Sequence, residues 1–468
     1  MKKFLAAAAA VLMMIPLLCL PSAALSAKAI NFTLKNPIQS EAAVLISLDT
    51  NTIIHEKNPD EKQMPGPLVN IMTAIIVLEK WEDLNYEITM TDELYSYLYE
   101  YEYPDDLRFI DIENGDVLTI SDLLYAMMLT SSIEASVTLA NTVGGGDVNA
   151  FVAMMNDKAK ELGLNSTHFT NPTGLYDENQ YTTAHDMAVL SQYALKVPLF
   201  ETIASTFQYN PSVPNLDRHP NHDTWIWNHS NEMMDPESDS YYPGVKGIKT
   251  ANLEAYGRNI VAECSKDGNN YLAVLMRSPM TDANENPTYY HIQDAKQLFD
   301  WAFNHFSYQV ILAQTAELGE LPVSLAEGND YVLARPKVEV SLLWYDEIDI
   351  STINKDDIKW YKSSLQAPVK KDEPLGEVTL SYAGEELATV ELVAVTDVER
   401  SLSKYNLYAA SRFPKSAWFK KAMMISAILC ALYVLVCIYS YIVFKFRGRP
   451  VKPKYAVPKG SKSGKKKK

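Results

Sequence analysis

Residues 65–80, PGPLVNIMTAIIVLEK, are apolar on nearly every side when wound as a helix. A helix that is hydrophobic all round belongs in a core. With about 14 helical residues it is too short to span a bilayer. Pro67 suits its first turn, where no backbone N–H is needed. One polar residue, Asn70, falls a turn further in among apolar neighbours. Segments 44–48 and 52–56 flank Asp49-Thr50-Asn51, which signals a hairpin. Segments 121–143 and 146–162 read as helices, the second ended by Gly163, and 271–277 reads as a buried strand. From about residue 313 the pattern shortens and alternates, in 337–343, 376–382 and 389–395, with turns such as Ala383-Gly384 between. These patterns predict an α+β domain over 28–312, with helices on an antiparallel sheet. A small all-β domain over 313–400 follows.

The two ends carry different hydrophobic runs. Residues 1–27 place Lys2 and Lys3 before an apolar stretch and then PSAALSA, the pattern of a secretory signal peptide with cleavage after Ala24 or Ala27. Leu18 before Cys19 is a poor fit to a lipoprotein. Residues 422–444 are long enough to span a membrane at about 1.5 Å per residue. Trp418, Tyr439 and Tyr441 sit near their ends as interface anchors. Residues 401–421 form a juxtamembrane connector and 445–468 a basic tail. The positive-inside rule puts that tail in the cytoplasm and the body outside. The terminal KSGKKKK contacts anionic lipid or stays solvated; the sequence favours neither.

Charge sharpens this picture. The net charge is −16, but 11 of the 42 Lys and Arg lie from Lys445 onward with none of the 58 Asp and Glu, so the rest carries 31 basic against 58 acidic side chains, a net −27. An acidic body does not suit nucleic acid or anionic wall polymers. Of four cysteines only Cys264 lies in the body, so no disulfide forms there. A secreted chain without disulfides fits a bacterial surface.

The frame EAAVLISLDTNTIIHEKNPDEKQMPGPLVNIMTAIIVLE (41–79), together with HFTNPTGL (168–175) and YTTAHDMAVL (181–190), resembles the serine D-alanyl-D-alanine carboxypeptidases, the low-molecular-mass penicillin-binding proteins. APVKKDEPLGEVTLSYAGEELATVELVA (367–394) resembles their C-terminal β domain. The resemblance implies a penicillin-binding, β-lactamase-like fold and three catalytic motifs. S-x-x-K at the start of the buried helix sets nucleophile and base on one face. An S-x-N motif relays protons, and K-T-G on a strand binds the substrate carboxylate. Here the first motif reads Pro67-Leu68-Val69-Asn70. Pro67 has no heteroatom to attack with, and Asn70 takes no proton near neutral pH. The second reads Ser131-Ser132-Ile133, with a branched alkyl in place of the amide. The third reads Lys249-Thr250-Ala251, with a methyl where close approach was needed. Other S-x-x-K strings, at 401–404 and 463–466, begin no buried helix.

The expectation is therefore a single-pass membrane protein of a bacterial cell surface that has lost catalysis. It would bind a peptidoglycan stem peptide or a cell-wall protein partner. The rival expectation is an active carboxypeptidase using altered residues. A third, plain adhesion, draws only on the β module and the anchor. Ser131, Lys249 and Thr250 either form a site for a carboxylate-ended peptide or remain as structural hydrogen bonders. Asn70 is placed to complete a polar network with Ser131 and Lys249. No cofactor and no metal is expected: Pro220 breaks the spacing between His219 and His222, and that stretch reads as a solvated loop. Tyr97, Tyr99, Tyr101 and Tyr103 either form an aromatic strip or pack rings on the core.

Overall fold

A computed structural model describes residues 32, 34–94, 108–110, 112–212, 219 and 225–447. The leader, the tyrosine-rich stretch 97–103, most of the 217–223 loop and the basic tail beyond 447 lie outside the described residues. The chain divides into two compact units. One takes the residues up to 312 with 340–354 and 380–388; the other takes 313–339, 355–379 and everything from 389.

The first unit is built on a five-stranded antiparallel sheet. Its strands are β1 (Ala42–Ser47), β2 (Thr52–Lys57), β3 (Lys249–Leu253), β4 (Gly257–Lys266) and β5 (Asn269–Ser278), in the order β2-β1-β5-β4-β3. β1 is buried at every position, as a strand covered on both faces must be. The expected hairpin is present, with Asn51 at a φ of 56° in its turn. β3 is an edge strand, so one of its sides is not paired within the sheet.

The helix expected over 65–80 forms as a single 3-10 turn, Gly66–Val69, running into α1 (Asn70–Lys80). Its residues Asn70 to Val77 are all buried. α1 packs among α2 (Ile120–Thr130), α3 (Ile133–Val143), α4 (Val148–Glu161) and α5 (Ala184–Ala194). The sequence pattern predicted one helix over 121–143; the structure breaks it in two. Ser131 turns left-handed, at a φ of 64°, and Ser132 caps the second helix by accepting from the Ala135 N–H. A cap bond at Ser132 offsets the left-handed turn at Ser131, which costs ~1–2 kcal/mol. α6 (Tyr290–His305) packs on β4 and β5.

Strand Val340–Tyr345, grouped by its alternation with the β module, pairs with Phe306–Leu312 in the first unit. A six-stranded sheet includes the hairpin Pro374–Tyr382 and Glu385–Ala394, whose residues 374–379 and 389–394 belong to the second unit. Later come a helix over Leu402–Arg412 and a 31-residue helix, Ala417–Arg447, about 46 Å long at ~1.5 Å per residue. The latter is long and apolar enough to cross a membrane.

Candidate active site

Two corners of the first unit hold the residues singled out in the sequence. The first is the start of α1. Gly66 takes a φ of 56°, and a Cβ there would sit 3.1 Å from Leu253 and 3.3 Å from the Ala251 methyl. The Ala251 side chain therefore faces the backbone just before Pro67 rather than leaving a gap. Gly174, at a φ of 83°, comes closer still: a Cβ on it would lie 2.1 Å from the Gly66 carbonyl oxygen and 2.5 Å from the Pro67 nitrogen. Asn259 Nδ2 donates to the Met64 and Pro65 carbonyls at 2.9 and 3.1 Å. The backbone around Pro67 is thus clamped from three sides.

Asn70 is fully buried. Its Nδ2 donates to Ser136 Oγ and to the Pro172 carbonyl, both at 3.2 Å. The same carbonyl accepts from Thr73 Oγ1 at 2.9 Å. Asn70 Oδ1 has no hydrogen-bond partner among the described residues. The expected network of Asn70 with Ser131 and Lys249 does not form, because its amide donor is taken by α3 and the Pro172 loop. That loop is held by Asn171, whose Oδ1 accepts from the Thr173 hydroxyl and from the Thr173 and Gly174 N–H groups.

The second corner joins the α2–α3 break to the start of β3. Lys249 is fully buried, and its Nζ donates to the Met127 and Met128 carbonyls at 3.2 and 2.9 Å. Its third contact is Ser131 Oγ at 2.6 Å. Burial pushes the Lys249 pKa down to about 7. His229 is buried nearby, and burial, then the charge of Lys249, pushes it down to about 3. It stays neutral, and its Nδ1 accepts from the Asn231 N–H at 2.9 Å. The break between α2 and α3 is what brings Ser131 to Lys249: the left-handed turn follows the two residues whose carbonyls also take the amine.

Thr250, half-buried, lies 2.7 Å from Ser230 through their hydroxyls. Ile133 opens α3 and is buried, with its N–H bonded to the Arg108 carbonyl at 3.1 Å. Ser131's own N–H goes to the Met127 carbonyl at 3.1 Å. Of the residues picked from sequence, then, Ser131 and Lys249 meet, Thr250 extends that patch, and Pro67 and Asn70 belong to the other corner. Ser136, Pro172 and Ser230 were not foreseen. Ser136 follows the second motif at a one-turn spacing, and Pro172 lies within the quoted HFTNPTGL, but their roles depend on tertiary contacts.

His219 pairs with Asp116 at 3.0 Å and stacks on Trp225. No group of three or more side chains able to hold a metal occurs among the described residues.

A family model described as D-alanyl-D-alanine carboxypeptidase matches residues 29–280. A second, penicillin-binding protein 5 C-terminal domain, matches 349–400. The D-alanyl-D-alanine carboxypeptidase DacF of Bacillus subtilis is 27% identical over 363 residues, covering 78% of this chain and 87% of its own. DacA of Haemophilus influenzae is 26% identical over 384 residues, 80% of this chain and 89% of its own. The crystal structure of the carboxypeptidase DacD from Francisella tularensis superposes with a TM-score of 0.59 at 21% identity, over 80% of this chain and 98% of that one. At that identity the likeness speaks to the fold.

Proposed function

Because the chain belongs to the D-alanyl-D-alanine carboxypeptidase family, we propose that it binds a peptidoglycan stem peptide ending in D-alanine, or a cell-wall synthesis partner, without cutting it. The observation that carries this reading is the start of α1. Pro67 offers no attacking atom, and Asn70 spends its amide on Ser136 and Pro172. In serine hydrolases, loss of nucleophile or base lowers the rate by on the order of a million-fold. Thr250 and Ser230 remain as an accessible hydroxyl pair at the start of β3, with the buried Lys249 amine behind them, a setting suited to a carboxylate.

A second reading is favoured by one contact. Ser131 and Lys249 stand at 2.6 Å, with the amine near neutral pKa. When Lys249 is neutral, its two N–H groups suit the two carbonyls and its lone pair suits the Ser131 O–H, the arrangement an activated serine needs. Against this, attack at Ser131 also needs donors for the developing oxyanion. The Ser131 and Ile133 N–H groups are already bonded to Met127 and Arg108. One lost oxyanion donor costs ~10²–10³ in rate. Binding without turnover is therefore the better-supported reading.

The expected setting is a bacterial membrane, with helix Ala417–Arg447 spanning once, the body extracytoplasmic and the basic tail cytoplasmic. Truncation before Ala417 is expected to release the protein; unchanged membrane retention would contradict the anchor. Titrating the full-length chain with a pentapeptide ending in D-Ala-D-Ala tests the site. Saturable binding that Lys249→Ala abolishes, with no free D-alanine released, is expected. Release of D-alanine would favour the second reading; no binding would leave only a protein partner.

A further inference from the structure

Just ahead of Pro67, at the far end of β3 from Lys249, lies a cavity of about 370 Å³ lined by Lys62, Gln63, Tyr176, Tyr181, Tyr256 and Arg277 among others. We propose that this cavity is a saccharide subsite, taking a sugar that carries an acetamido group. The inference deepens the reading above, on which its physiological sense rests, by extending the ligand from a peptide to the sugar bearing it.

The lining has two features that point to such a ligand. The first is aromatic. Tyr176 and Tyr256 stack with ring centroids 5.1 Å apart and planes 17° from parallel, and Lys62 Nζ lies 3.6 Å from the Tyr181 ring centroid. Flat rings with polar rims suit the C–H face of a pyranose. The second is an amide. Gln63 is fixed by paired backbone bonds to Thr182, at 2.7 and 3.0 Å, and is only 5% exposed. Its Nε2 has no partner among the described residues. A buried donor left unmade costs ~1–3 kcal/mol. The carbonyl of an acetamido group would accept from it. Gln180, the other amide in the lining, is engaged at both ends: it accepts from the Thr170 and Asn171 N–H groups and donates to the Leu175 carbonyl.

Charge agrees. Arg277 is held by Glu41 at 3.1 Å, and Glu178 lines the same cavity as Lys62. That mixture suits a neutral or weakly anionic ligand better than a strongly charged one. Position agrees as well. Gly174, two residues before Tyr176, touches Gly66 and Pro67, and the Tyr256 N–H closes the turn after β3 on the Leu253 carbonyl at 3.0 Å. A ligand lying along β3 with its carboxylate near Lys249 would reach Leu253 after ~13 Å of extended chain.

The test is calorimetric titration of the full-length chain in detergent with N-acetylchitotetraose and, separately, with cellotetraose, which has no acetamido groups. Saturable binding of the first is expected, with cellotetraose about tenfold weaker. Gln63→Met and Tyr256→Ala are each expected to weaken the acetamido sugar about five- to tenfold while leaving the thermal melt in place. Absence of saturation at solubility, indifference to both lining variants, or equal binding of cellotetraose overturns the proposal. Peptide binding that persists without sugar binding sinks this inference alone; sugar binding without peptide binding sinks the peptide reading alone.

Discussion

The two corners of the first unit use their polar groups in opposite ways. The start of α1 is given over to packing: a proline, a buried amide turned to structural partners, and glycine backbones pressed together. At the α2–α3 break, a fully buried lysine still meets a serine hydroxyl and two carbonyls. A buried amine without a carboxylate partner is expensive to keep. The ligand-holding role proposed above accounts for that cost.

That contrast can be broken at several points. The largest effect is expected at Gly174→Ala. A Cβ there would overlap the Gly66 carbonyl and the Pro67 nitrogen, all backbone atoms, at a positive φ. Loss of about 4 kcal/mol or more, read by denaturant melts, is expected; a loss below 1 kcal/mol would show that the corner is looser than described.

Lys249 gives the next effect, through pH. Its folded pKa of about 7 lies below the ordinary 10.5. Below pH 7 the amine is charged in both states, and the cost of burying it stands in full. Above pH 7 the folded chain sheds the proton while the unfolded chain keeps it, so stability rises with pH up to about 10.5. Compared with Lys249→Met, the native protein should gain about 2 kcal/mol between pH 7 and 9. A pH-independent difference would mean the amine is not desolvated.

Asn70→Ala is expected to cost about 2 kcal/mol, from two lost bonds and a small void, while leaving peptide binding intact. Loss of binding with unchanged stability would place Asn70 in the ligand site instead. Smallest is the turn at Ser131. Ser131→Gly should be more stable than Ser131→Ala by about 1 kcal/mol, because only glycine takes a φ of 64° without strain.

Much of this was legible in the sequence. The apolar stretch around α1, the hairpin, the buried strand β5 and the β module follow from periodicity alone. The long terminal helix followed from its unbroken apolar run. What escaped was local and tertiary. No glycine or proline marks the break at Ser131; the clue was Ser132 two residues before Glu134, a cap pattern inside a run that otherwise reads as one helix. The grouping of Val340–Tyr345 with Phe306–Leu312 is a long-range pairing that alternation cannot assign. The motif residues were readable, but not that Asn70 would turn from Lys249 to Pro172, since that choice depends on where a distant loop folds back.

The proposed silence of this site requires that the start of α1 has no attacking group and that Ser131 does not replace it. The most direct measurement incubates the purified full-length chain, and its Ser131→Ala variant, with a fluorescent penicillin before a denaturing gel. No covalent band is expected from either. A band on the native chain that excess unlabelled penicillin blocks and Ser131→Ala removes would contradict it, and would make the Ser131–Lys249 pair a working nucleophile and base.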